Sequence, residues 1–171
     1  MYGDAALGVL YSASPRDNSN FYAGFALQHV NQPNISSFNI NRDQSERLYM
    51  KFTFHGGALI PLSEQVSLMP SYLVLKQGPS YEINVSSYIK YKFSSIPAVK
   101  TAIYFGAMYR VLDAVILGAR ADIKGAQIHF SYDLNLSKLT SASRANGGPE
   151  IAVIYTGCFN RKNNDRYCPA F

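Results

Sequence analysis

The sequence predicts an all-β fold, an antiparallel transmembrane β-barrel of the outer-membrane type with about nine strands in this chain. Three observations carry this expectation. Apolar and polar side chains alternate through residues 81–93, and the same period of two returns along most of the chain. Helical periodicity competes nowhere over a useful length, and no run reaches the roughly 18 apolar residues of a spanning helix. The 81–93 segment outruns the roughly 3–10 residues of most globular strands. It also exceeds the about 9–11 residues that cross a bilayer at a tilt.

Taken in order, the expected strands are 4–14, 21–30, 49–60, 67–78, 81–93, 101–111, 114–123, 126–134 and 149–157. The pattern is weaker in 4–14 and in 67–78, where Pro70 removes a ladder donor. In 49–60, Met50, Phe52, Phe54, Ala58 and Ile60 share one face, while Lys51, Thr53 and His55 take the other. In 81–93 one face is Tyr81, Ile83, Val85, Ser87, Ile89, Tyr91 and Phe93, apolar apart from Ser87, with an aromatic at each end as in an interfacial girdle. Glu82, Asn84, Ser86, Tyr88, Lys90 and Lys92 form its opposite face. In 114–123, Val115, Leu117, Ala119, Ala121 and Ile123 oppose Arg120 and Asp122. In 126–134, Ile128, Phe130, Tyr132 and Leu134 oppose Gln127, His129, Ser131 and Asp133, and in 149–157 Ile151, Val153 and Tyr155 oppose Glu150 and Thr156.

Tight connections are expected at Pro79 with Ser80, around Asp113, and at Lys124-Gly125. Two stretches rich in Asn and Ser, 31–48 and 135–148, read as long loops. Strand counting places both at one end of the sheet. Barrels of this kind carry their longer loops outside the cell and short turns on the periplasmic side.

Composition bounds the alternatives. A chain of 171 residues with 47% hydrophobic content makes one domain, 1–171, with residues 158–171 as a C-terminal tail. Mean hydropathy of -0.08 does not argue against a membrane barrel, because outward and inward residues average out. The +5 net charge is dispersed without a basic stripe, so nucleic acid is not an expected partner. Cys158 and Cys168 either close a small loop in an oxidising envelope or remain thiols. No basic n-region or apolar h-region opens the chain. With an odd strand count, and no open edge tolerable in lipid, the chain is expected to be the C-terminal part of a larger barrel.

The inward-facing charged set is Lys51, Glu82, Lys90, Lys92, Arg110, Arg120, Asp122, Asp133 and Glu150. In a barrel these residues line the lumen, whereas in a soluble sandwich they would solvate an outer face. In the first long loop, Pro33, Asn34, Ile35, Phe38 and Ile40 are the candidate partner-binding residues, because the apolar ones need a partner or an inward fold. No catalytic, cofactor or metal site emerges. His129 and Asp133 share a face but stand roughly 13 Å apart at about 3.3 Å per residue, too far for an orienting hydrogen bond. No Gly-x-Ser-x-Gly elbow is present.

Several short motifs occur in a fixed order: Gln32-Pro33-Asn34-Ile35-Ser36, Met69-Pro70-Ser71-Tyr72-Leu73 with Lys76, and Tyr109-Arg110 before Asp113-Ala114. Ser131-Tyr132-Asp133, Gly148-Pro149-Glu150-Ile151 and Cys168-Pro169 with Phe171 follow. As an ordered set they resemble the PorP/SprF family of type IX secretion system outer-membrane proteins. The chain departs from that pattern at Glu46-Arg47-Leu48-Tyr49, at Pro149 and at Cys158. The resemblance implies a C-terminal portion of a barrel of about fourteen strands. It implies a non-enzymatic role in type IX secretion and gliding, in the outer membrane of a Gram-negative bacterium. Implied partners are exported adhesins outside, a periplasmic lipoprotein ring with a peptidoglycan-binding component, and outer-membrane lipid. No cofactor is implied. The alternatives are a passive pore and a soluble β-barrel or sandwich binding module.

Overall fold

The computed structural model describes residues 3–16, 18–34, 47–93, 101–123, 125–136 and 146–155. Their secondary structure is all β, a single nine-stranded antiparallel sheet in which every strand pairs with its sequence neighbours. The strands are β1 (Ala6–Ala13), β2 (Asn20–Gln28), β3 (Lys51–Pro61), β4 (Val66–Gln77) and β5 (Ser80–Lys92), then β6 (Thr101–Arg110), β7 (Ala114–Ile123), β8 (Ala126–Asn135) and β9 (Asn146–Tyr155). Among the described residues, β1 and β9 each pair on one side only, and no ladder joins them.

The pattern of two faces decides how the sheet is used. With Ala58, Ala119 and Phe130 of the other side also touching it, a concavity of about 470 Å³ is lined from β2 to β9 mainly by the face that carries Tyr88, Arg120, Asp133 and Glu150. That face is therefore concave, and it holds the buried residues Ser67, Asn84, Ala102, Tyr104, Ala114 and Ile116. The apolar set is convex and open. Val85 is 51% exposed, Ile89 52%, Phe105 59% and Ile151 73%. A soluble sandwich buries its apolar face against a second layer. Here the arrangement is reversed.

Strand positions follow the alternation closely, and the differences lie at the ends. β4 is a full strand of 12 residues with Pro70 inside it, opposite Ser87. The extended backbone accepts the φ that the proline ring fixes, so the missing donor does not end the ladder. The β4–β5 turn is Gly78-Pro79, with Ser80 already in β5, rather than Pro79-Ser80. Gly78 has φ +55° and Pro79 follows it with the negative φ its ring imposes, the combination of a type II′ hairpin. At the other end, β9 starts at Asn146, so Gly147 and Gly148 belong to a strand and not to the expected loop 135–148. A register shift between Tyr132 and Leu134 lets that Gly-Gly pair join β8. The expected strand end at 156–157, the tail 158–171 and both cysteines lie outside the described residues.

Because the sheet is a simple meander, the β2–β3 and β8–β9 connections fall at the same end. The Gly78-Pro79 turn and the three-residue turn Val111-Leu112-Asp113 share that end. The connections 14–19, 62–65, 93–100 and 124–125 lie at the other, each shorter than the β2–β3 and β8–β9 connections.

Candidate functional site: the concave face and the root of the first long connection

Register converts the charged residues of separate strands into rows across the concave wall. Lys90, Tyr104, Arg120 and His129 are successive partners on β5, β6, β7 and β8. The next row toward the long connections is Tyr88, Gly106, Gly118, Ser131 and Glu150. Beyond it lie Ser86, Met108, Ile116 and Asp133, then Asn84, Arg110, Ala114 and Asn135. All nine charged residues expected to face inward stand on this face, with Lys51 set apart on β3 opposite Gln28 and Gln77.

Two clusters organise these charges. In the first, Asp122 accepts hydrogen bonds from the Tyr104 hydroxyl at 2.8 Å and from Arg120 Nη2 at 2.9 Å. Arg120 Nε also approaches Asp122 Oδ1 at 2.8 Å, as an ion pair off the hydrogen-bond direction. The guanidinium lies 3.7 Å from the centre of the Tyr104 ring, and Lys90 Nζ stands 5.3 Å from the same centre. In the second cluster, Arg110 Nη1 donates to Asp113 Oδ2 at 3.0 Å, and its Nε lies 3.7 Å from Glu82 Oε1. Glu82 Oε1 also accepts from Asn84 Nδ2 at 2.7 Å. The carboxylates thus hold the arginines in place instead of forming a pair of free acids. His129 Nε2 is buried without a hydrogen-bond partner. His129 and Asp133 lie two rows apart along β8, and no bond joins them.

Sequence reasoning missed the tyrosine floor. A side-chain carbon placed on Gly118 would strike the Tyr88 hydroxyl, and one on Gly106 would come within 2.6 Å of the Tyr88 ring. Tyr88 therefore lies flat across both glycines, with Tyr22 set likewise against Gly57 across the concavity. Only the pairing register reveals this.

The first long connection has an ordered root. His29 Nδ1 meets Asp4 Oδ2 at 2.8 Å, Asn31 Nδ2 donates to the Gly3 carbonyl at 2.8 Å, and Asn31 Oδ1 accepts from the Ala5 N–H at 3.2 Å. Asn34 bridges to Arg47, and the Leu48 N–H donates to the Pro33 carbonyl at 3.0 Å. Pro33 is buried and Asn34 exposed. Ile35, Phe38 and Ile40 lie outside the described residues, as do residues 137–145 of the second long connection.

A sequence model of the family described as Type IX secretion system membrane protein PorP/SprF matches residues 1–155. No curated protein gives a match. No solved structure gives one either.

Proposed function

The chain belongs to the PorP/SprF family of type IX secretion system membrane proteins, and from that premise we propose that it helps hold exported adhesins at the outer surface of the outer membrane. PorP/SprF is a family of secretion-machinery components rather than of enzymes. The observation that carries the reading is the reversed facing of the sheet, apolar on the convex side and charged on the concave side. A bilayer rewards that facing, and water does not. On this reading the convex face meets lipid, the nine concave charges line a lumen, and further strands complete the barrel beyond β1 and β9.

Residues 31–48 and 135–148 then face the cell exterior, opposite the short periplasmic turns. Pro33 and Asn34 serve the root that presents residues 35–46, and Phe38 is the anchor for an adhesin, flanked by Ile35 and Ile40. Aromatic anchors that enter a partner's pocket typically contribute about 2 kcal/mol or more. The periplasmic end faces the lipoprotein ring and the peptidoglycan-binding component.

The test deletes 35–40 in the full-length protein, which spares the Asn34–Arg47 bridge. Surface adhesin is expected to fall while the amount of barrel in the outer membrane is unchanged. Normal surface adhesin at normal barrel levels would remove the docking role. The charged concave rows also suit a passive pore, and raised conductance of the deleted form with secretion intact would favour that reading.

A further inference from the structure

The concave charges segregate along the strand direction. Toward the short-turn end, the rows of Lys90 and Lys92 hold three cations (Lys90, Lys92, Arg120) and one carboxylate (Asp122). Toward the long connections, three strand carboxylates (Glu82 on β5, Asp133 on β8, Glu150 on β9) and Asp113 of the β6–β7 turn accompany one cation, Arg110 on β6. The single carboxylate of the cationic band is already engaged by Tyr104 and by the Nε–Nη2 edge of Arg120, leaving Nη1 unused by it. Lys90 stands over the Tyr104 ring, and the buried Nε2 of His129 has no partner. Four adjacent strands thus converge donors and positive charge on one patch whose own acid is spent.

We propose that this band, Lys90, Lys92, Arg120 and His129 around Tyr104, is a binding site for an anionic group, a carboxylate or a phosphate, entering from the short-turn end. Asp122 and the Tyr104 ring fix the guanidinium, so Arg120 meets the anion already oriented, and a preformed donor loses less freedom on binding. Lys90 and Lys92 supply mobile positive charge, and His129 supplies a buried nitrogen able to donate. A ligand with a second, cationic group would extend toward Glu150 and Asp133, the next acids along the wall. The proposal rests on the facing and register of β5–β8 and is independent of adhesin docking.

The experiment uses the full-length protein in detergent micelles at low ionic strength, titrated calorimetrically with pyrophosphate and, separately, with a tetraglutamate peptide. At least one probe is expected to bind, more weakly as salt rises. Lys90→Gln and Lys92→Gln should each weaken it about tenfold, as loss of a charge-assisted contact does. Lys51→Gln, on the same face but on β3, should leave affinity unchanged. Binding of pyrophosphate alone identifies a phosphate source, binding of the peptide alone a carboxylate source, and mutual displacement a site that accepts either. Absence of binding by both probes would overturn the site, and so would equal weakening by Lys51→Gln, which would reduce it to diffuse charge. Unheated gel mobility of each variant confirms that the barrel is intact.

Discussion

Tyr88 shows how one residue sets the requirements on two others. Its ring occupies the space where side chains on Gly106 and Gly118 would stand, and the two positions are constrained in different ways. At Gly118 the obstacle is the far end of the tyrosine, which can move. At Gly106 a new methyl also strikes the Ser87 backbone carbonyl, which cannot move without disturbing the β5–β6 ladder. Overpacking of this kind typically costs about 1–3 kcal/mol. Gly106→Ala and Gly118→Ala should therefore both lower the temperature at which the full-length barrel loses its folded gel mobility. In a Tyr88→Ala background the Gly118→Ala penalty should vanish, while Gly106→Ala stays costly. Equal rescue of both by Tyr88→Ala would contradict the backbone contact and leave the ring as the sole obstacle.

At the scale of the strand, the alternation of β5 is the quantity that matters. Val85 is exposed on the convex face, and its neighbour Ser86 faces inward, with its hydroxyl 2.6 Å from that of Ser71. Arginine on the lipid face near mid-membrane costs about 2–4 kcal/mol. Val85→Arg in the full-length protein should lower stability by that amount in a urea refolding titration. Ser86→Arg should cost only about 1 kcal/mol, from the lost hydroxyl pair. Equal tolerance of the two would sink the membrane reading. This alternation was legible in the residues themselves, because side-chain direction in a strand depends on nothing beyond parity. Strand ends were less legible, since Gly147 and Gly148 look like loop residues until β8 offers a partner through a shifted register. The turn at Asp113 was legible, but Leu112 at φ +62° was not, since leucine carries no signal for left-handed backbone. Contacts such as Arg120 on Tyr104, or Tyr88 on its glycines, join residues far apart in sequence and depend on register, which the strand pattern alone does not fix.

For the molecule as a whole, the open edges set the argument. β1 pairs only with β2 and β9 only with β8 among the described residues, so each presents a row of backbone groups to its outer side. Both edges carry the apolar facing of the strands beside them, Leu7, Val9 and Tyr11 on one and Ile151, Val153 and Tyr155 on the other. In hydrocarbon each unpaired backbone group costs several kcal/mol, and no water replaces the missing partner. Two whole strands cannot sustain that loss against a folding free energy of only about 5–15 kcal/mol. Residues 1–171 produced alone should therefore not give a stable monomer in detergent, and should associate through β1 and β9 or aggregate. Supplying further strands, in the same chain or as a second fragment, should restore a compact species that migrates faster unheated than boiled. Light scattering beside the gel separates the outcomes. A monodisperse, heat-modifiable monomer of the 171 residues would show that β1 and β9 find each other, and that nine strands suffice to close this barrel.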